Sequence, residues 1–320
     1  MPLVPSFYKP PLWFRNGHFS TIYSAVFRSV RNPGQQRERL ELSDGDFLDL
    51  DWTRSETPTR RVLVLLHGLE GNAQRPYMLG SARVFSGAGY DVCALNLRGC
   101  SGEPNRLYRS YHSGATEDLK EVLEHLSRNY TYDHVFLKGF SLGGNLILKY
   151  LGETPEAAAR ITAAVAISVP CDLHDSLRQL NLPENRLYAN RFLVNLKGKL
   201  RAKQQLFPEQ ITDQMIEVVR SLQDFDDLYT SRAHGFEDAL DYYRRCSCLP
   251  LLGRIGVPTL LLNAQNDSFL GADCYPTAAS GGNPHLYFES PVHGGHVGFV
   301  QFGPSYYNEV RAIQFVGEQS

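Results

Sequence analysis

The chain has no run of about 18 apolar residues, the length a helix needs to cross a bilayer, so no membrane span is expected. It has no excess of charge either: 32 Lys and Arg stand against 34 Asp and Glu in 320 residues, a formal net charge of −2. With no long basic run, there is no general attraction to nucleic acid or anionic lipid, and polyanionic partners are not expected. The six cysteines (Cys93, Cys100, Cys171, Cys246, Cys248 and Cys274) form no paired C-x-x-C arrangement. Several fall in or beside apolar strands, where thiols pack as small hydrophobes, and that usage fits a reducing cytoplasm. There is no H-E-x-x-H or clustered His/Cys spacing for a metal, and no P-loop or dinucleotide fingerprint, so no cofactor is expected. The proline-rich start, Met1 to Phe14, lacks the charged and apolar regions of a secretory signal. Internal repeats and low-complexity tracts are absent as well.

What is present centres on His134 to Leu151. Val135-Phe136-Leu137 is a short apolar run suited to a buried strand, and Leu142 to Leu151 has apolar residues at helical spacing. Between them, Gly139-Phe140-Ser141-Leu142-Gly143 gives the G-x-S-x-G pattern in a strand–turn–helix setting. The glycines permit a turn so sharp that a Cβ would collide with the neighbouring strand or helix. Ser141 is thereby exposed above the sheet as a candidate nucleophile, with a helix N-terminus aimed at any oxyanion beside it. The plainer alternative is a glycine-rich turn carrying a solvated serine.

With 42% hydrophobic and 21% charged residues, the chain can bury a core as one large domain or a domain with an insertion. Residues 1–36 read as an aromatic, proline-bearing arm packed on the core. Residues 38–54 read as a β-hairpin about Ser43–Asp46, with Leu48, Leu50 and Trp52 on the buried face and Asp49 and Asp51 on the other. Buried strands follow at Val62–Leu66, Val92–Leu97, Ala163–Val169, Thr259–Asn263 and Leu286–Phe288. Helices are expected near Tyr77–Ser86, on the face marked by Leu119, Val122, Leu123 and Leu126, and after the elbow. The alternation predicts an α/β fold, a mainly parallel central sheet flanked by helices with ligands binding beyond the strands' carboxyl ends; the G-x-S-x-G elbow within it points to the α/β-hydrolase type. A helical cap, residues 171–252, interrupts the alternation before the acid-bearing strand, with segments at Arg191–Leu200, Glu209–Leu222 and Glu237–Tyr243. It divides the core into residues 37–170 and 253–320.

A serine hydroxyl needs a general base and a carboxylate to orient that base. In this fold class they follow the serine in the order acid, then histidine. Asp267, on the loop after Thr259–Asn263, is the leading acid; Asp273 and Asp172 are the alternatives. His296 follows the double glycine Gly294-Gly295, just before an expected C-terminal helix, and is preferred to His293 as the base. The oxyanion hole is assigned to the backbone N–H groups of Leu142 and Leu69. His67 is read as a brace for that loop, His18 as a support for the arm, and Asp224–Asp227 as a solvated stretch.

The sequence resembles the YheT-like branch of the α/β-hydrolases, whose relatives include eukaryotic membrane-associated abhydrolases and yeast medium-chain ethyl-ester synthases. The resemblance spans nearly the whole chain. It rests on Pro10-Pro11-Leu12-Trp13 with Arg15-Asn16-Gly17-His18, His67 to Gly71, Asn96 to Gly102, Ser110 to Gly114 and the elbow, then Phe225-Asp226-Asp227, His234-Gly235-Phe236, Asp241-Tyr242-Tyr243, Asn263 to Asp267 and Gly295 to Phe299. Ser20 and Ser268 stand where the family commonly has glutamine and proline. The resemblance implies that Ser141, Asp267 and His296 are nucleophile, acid and base of a carboxylic-ester hydrolase. The expected substrate is a small acyl ester of short or medium chain, with Phe192, Leu193 and Leu196 as candidate pocket walls. An acyltransferase that passes the acyl group to an alcohol, or a silent scaffold, would use the same residues.

Overall fold

A computed structural model describes residues 1–158, 160–276 and 282–319. The strands are β1 (Leu3–Val4), β2 (Gln36–Glu41), β3 (Phe47–Thr53), β4 (Arg61–Leu66), β5 (Asp91–Asn96), β6 (His134–Phe140), β7 (Ile161–Ile167), β8 (Thr259–Leu262) and β9 (Leu286–Glu289). They form one sheet in the order β1-β9-β8-β7-β6-β4-β5-β3-β2. β2 and β3 are antiparallel additions at one edge, and every pairing from β5 through β4 to β1 is parallel. A continuously apolar strand must be covered on both faces. β4 accordingly sends Val62, Val64 and Leu66 into one core cluster and Leu63 and Leu65 into the other.

The helices are α1 (Gly17–Ile22), α2 (Pro76–Gly87), α3 (Thr116–Asn129), α4 (Leu142–Glu153), α5 (Pro155–Ala158), α6 (Leu173–Leu180), α7 (Arg186–Gln204), α8 (Asp213–Val218), α9 (Leu222–Phe225), α10 (Ser231–His234), α11 (Ala239–Cys246) and α12 (Tyr307–Gly317). α3 and α4 pack on one face of the sheet, α2 and α12 on the other. Successive strands are laid down on opposite sides of β4, β5 on one and β6 on the other. The crevice outside the strand ends therefore opens between the loops after β4 and β6.

α6 to α11 share a separate apolar cluster that includes Leu177, Leu196, Leu222 and Tyr243. The two ends of this segment meet where Leu249 N–H donates to Cys171 O at 3.0 Å. Asn145, buried in α4, pins the second of these ends: its Nδ2 donates to Cys246 O (2.8 Å) and its Oδ1 accepts from Cys248 N (2.9 Å).

Four expectations change. β3 is buried along its whole length, because Arg39 and Arg37 of β2 cover Asp49 and Asp51 with paired hydrogen bonds. The continuous helix expected over Glu209–Leu222 is broken: Thr212 caps α8 and Ser221 opens α9 with a capping box to Asp224. Asp226 is not solvated; it accepts from Tyr243 Oη (2.6 Å) and Thr230 Oγ1 (2.7 Å). No helix follows His296 directly, since residues 294–299 form a curled loop and α12 begins only at Tyr307. The arm also supplies β1, which pairs with β9 and was not anticipated.

Candidate active site

The turn after β6 is as tight as its glycines imply. A Cβ on Gly139 would lie 2.4 Å from Gly143 O, and one on Gly143 would lie 2.6 Å from His67 O. Ser141 adopts φ 52° and ψ −119°, a conformation costing roughly 1–3 kcal/mol for a residue with a side chain. The surrounding backbone holds it there, with Ser141 N–H donating to Ile167 O at 2.8 Å. The N–H of Leu142 is among the first of α4, which have no acceptor within the helix.

Asp267 and His296 come from the loops after β8 and β9. His296 Nδ1 lies 2.9 Å from Asp267 Oδ2 and 3.2 Å from Oδ1, with the carboxylate side chain fully buried. That pairing fixes a proton on Nδ1 and leaves Nε2 free. Phe269 stacks on the imidazole at 4.2 Å between ring centres, and its N–H donates to Asp267 Oδ1 at 3.0 Å. Ser141 and His296 line the same cavity. Among the described residues no hydrogen bond joins the serine hydroxyl to the ring, a contact that commonly tightens only with substrate bound.

The base loop is strongly curled: Gly294, Gly295, Val297 and Phe299 all have positive φ. Two outside groups hold it. Ser168, after β7, accepts Val297 N–H at 2.9 Å, and Thr21 of α1 accepts His296 N–H at 2.8 Å. Asn266 ties three segments together, its Nδ2 donating to Arg15 O (2.9 Å) and its Oδ1 accepting from Gly295 N (3.0 Å). The segment from Arg15 to Thr21 is thus part of the frame that positions Asp267 and His296.

On the loop after β4, Gly68 packs against the serine, an added Cβ there falling 3.2 Å from Ser141 Cβ. His67 is fully buried, and burial pushes its pKa down to about 3. Its Nδ1–H donates to Gly68 O (2.8 Å) while Nε2 accepts Leu97 N–H (3.1 Å), so the neutral ring braces the loop bearing Leu69. Glu70 next to it, at φ 53°, accepts from Tyr111 Oη (2.7 Å) and pairs with Lys199 of α7 (2.9 Å). This ion pair links α7 to the loop.

Two cavities meet at Ser141 and His296. One, of about 140 Å³, runs beneath α6, α7 and α9 between Leu173, Leu177, Phe192, Leu196, Leu222 and Phe225. Asp226 lies in its wall, and burial pushes the carboxyl up to about 6. The other, of about 180 Å³, opens between α7 and the arm and is lined by Ile22, Val26, Tyr77, Tyr188, Arg191 and Asn195.

The structure brings together Ser141, Leu142, Asp267, His296 and Leu69. It leaves the rivals elsewhere: Asp172 caps α6 by accepting Asp175 N–H, the Asp273 side chain is 62% exposed, and His293 contacts Arg15 O. His18 stacks on Tyr188 of α7 and contacts its hydroxyl at 3.2 Å. Thr21, Ser168, Phe269 and Lys199 carry no motif-level signal of their own, because each acts only through a neighbour brought in by the fold; Asn266 falls within the Asn263 to Asp267 motif, but its holding contacts depend on the fold as well.

Comparison with known proteins identifies the family and the fold. The alpha/beta hydrolase fold family profile matches residues 61–302. The chain is 37% identical over 296 residues to YheT of Escherichia coli (strain K12), named as a candidate esterase, covering 91% of this chain and 86% of that one. It is 29% identical over 308 residues to phospholipase ABHD3 of Homo sapiens, covering 94% of this chain and 75% of that one. The solved Pyrococcus furiosus esterase Pf2001 superposes with a TM-score of 0.60 at 17% identity, covering 89% of this chain and 91% of that one, a likeness of fold alone. The chain belongs to the α/β-hydrolase fold family, in its YheT-like branch, and is a hydrolase of the serine type.

Proposed function

We propose that the protein hydrolyses carboxylic esters of short or medium acyl chain through an acyl-enzyme. Ser141 attacks the carbonyl carbon while His296 Nε2 takes its proton; the imidazolium then protonates the departing alkoxide. Asp267 holds the ring in the Nδ1–H tautomer, and the N–H groups of Leu69 and Leu142 receive the oxyanion. Water, deprotonated by His296, releases the acid and restores the serine. The observation that carries this reading is the Asp267–His296 pair at 2.9 Å, facing the cavity that also receives the strained serine.

The apolar cavity under the cap supports an acyl site. At about 140 Å³ it is comparable with a dry engineered cavity of about 150 Å³ that admits benzene, which favours acyl chains of modest length. The second cleft suits the alcohol portion of the ester. That same cleft supports a second reading, acyl transfer to an alcohol seated there in place of water. The division into an arm (1–36), a core (37–170 and 253–320) and a cap (171–252) belongs to this proposal, as does a cytoplasmic location, which six free buried cysteines favour.

The test is hydrolysis of p-nitrophenyl esters from acetate to palmitate by wild type and Ser141→Ala. A chain-length optimum in the wild type, with a loss of about 10³-fold or more in the variant, is expected. Equal rates in both proteins would remove the serine from the mechanism. Repeating the reaction with ethanol or glycerol, and measuring ester product against free acid, separates hydrolysis from transfer.

A further inference from the structure

The mouth of the second cleft lies in a face that is both apolar and basic. On the arm, Trp13 (78% exposed), Phe19 (46%), Ile22 (39%) and Val26 (55%) are open to solvent. On α7, Leu187 (79%) and Val194 (69%) are exposed, while Leu196, Leu200 and Lys203 turn inward. Leu187, Arg191, Val194 and Arg201 follow one another at helical spacing along the outer side of α7. Ile22 and Val26 share the cleft's lining with Tyr188, Arg191 and Asn195, and the His18–Tyr188 stack joins α1 to α7, so the two helices border one opening. An exposed apolar face of this kind marks an interaction site.

Charge identifies the partner. Residues 1–37 contain five Lys or Arg and no Asp or Glu; residues 185–208 contain six and again none. Together these segments carry a formal +11 in a chain whose total is −2. Arg28, Arg37 and Lys199 are paired with acids elsewhere. Arg15, Arg186, Arg191 and Arg201 are exposed and make no ion pair among the described residues. The balanced overall charge conceals this segregation. A symmetric contact with a second copy would set the basic face against itself.

We propose that this face docks on an anionic lipid bilayer, apolar side chains entering the interface and arginines contacting the headgroups. The cleft mouth then opens onto the membrane, and an ester passes from the interface to Ser141 without crossing water. That delivery rests on the ester-hydrolase reading; the docking does not.

The test is flotation of Ser141→Ala protein with vesicles of phosphatidylcholine alone or with about 30 mol% phosphatidylglycerol. Using this variant keeps binding separate from catalysis. The protein is expected to float with the anionic vesicles, not the neutral ones, and to be released in about 0.5 M NaCl, where the Debye length falls to a few Å. Trp13→Ser/Leu187→Ser/Val194→Ser should lower partitioning about tenfold or more. Arg186→Glu/Arg201→Glu should lower it at least about fivefold per arginine. Both sets, made with Ser141 intact, should keep their melting temperature and their p-nitrophenyl butyrate rate. Folded variants that float like the parent would overturn the proposal, as would a parent that ignores anionic vesicles. So would a dimer, seen by sedimentation, that the triple variant dissociates while flotation is unchanged.

Discussion

Replacing Gly17 with alanine should disable the site from a position that touches no reacting atom. A Cβ at Gly17 would lie 2.2 Å from the backbone oxygen of Asn266, where ordinary contact begins at 3.4 Å. The arm and the acid loop must therefore separate by about 1.2 Å, and the obstacle is backbone, which cannot swing aside as a side-chain tip can. Asn266 adjoins Asp267 and also holds Gly295, while Thr21 of the same arm helix holds His296 N–H. Displacement is thus passed to the acid and the base together. Overpacking costs about 1–3 kcal/mol of stability, and a 1 Å misplacement of catalytic groups can cost about 10²-fold in rate. The assay is kcat and KM on a p-nitrophenyl ester, beside a thermal melt, with Gly253→Ala as control because nothing lies within 4 Å of its added Cβ. kcat should fall about 100-fold with KM changed far less, and the control should match wild type. A folded Gly17→Ala protein with kcat within about threefold of wild type would refute the idea that the arm sets the geometry.

Two further outcomes follow from buried groups. Leu196→Trp fills part of the cavity under the cap, so activity should move towards shorter esters; each excluded CH₂ forgoes about 0.8 kcal/mol, and rates measured from butyrate to decanoate would show it. An unchanged chain-length profile would place the acyl chain elsewhere. Lys138, wholly buried and bonded to Ser81 Oγ (2.9 Å) and Asn308 O (3.2 Å), has its pKa pushed by burial from 10.5 down to about 7. Between those values the unfolded chain holds a proton that the folded one does not. The lysine's contribution therefore makes stability rise with pH, by up to about 1.4 kcal/mol per unit. Lys138→Met should remove that rise, so the variant's advantage in urea unfolding shrinks from pH 7 to 10; parallel pH profiles would contradict this.

Much of the architecture was legible in the sequence because its signals are local. Continuous apolar runs such as Val62–Leu66 can only be doubly covered strands, and Gly139-Phe140-Ser141-Leu142-Gly143 specifies its own turn. Ser141, Asp267 and His296 could be singled out because each lies on the connection that follows a recognisable strand, and the structure brings the three together. Errors arose where a distant partner overrode the local pattern. Asp49 and Asp51 read as a wet face until Arg39 and Arg37 covered them, and Asp226 read as solvated until Tyr243 and Thr230 closed on it.

By itself the sequence determined the order of the core strands from β2 to β9 and the sharp glycine-flanked turn that carries Ser141. Only the tertiary structure decided what holds the loops around that turn in register: Thr21 and Asn266 joining an N-terminal segment more than 240 residues away in sequence from the loops of Asp267 and His296, and Glu70 tied to Lys199 of α7. It also decided that Ile22 and Val26, near the start of the chain, line one cleft with Tyr188 and Arg191 of α7. The physical reason is the same in both cases. Periodicity and turn chemistry act over a few residues, whereas hydrogen bonds and surface patches depend on which segments the closed sheet brings together.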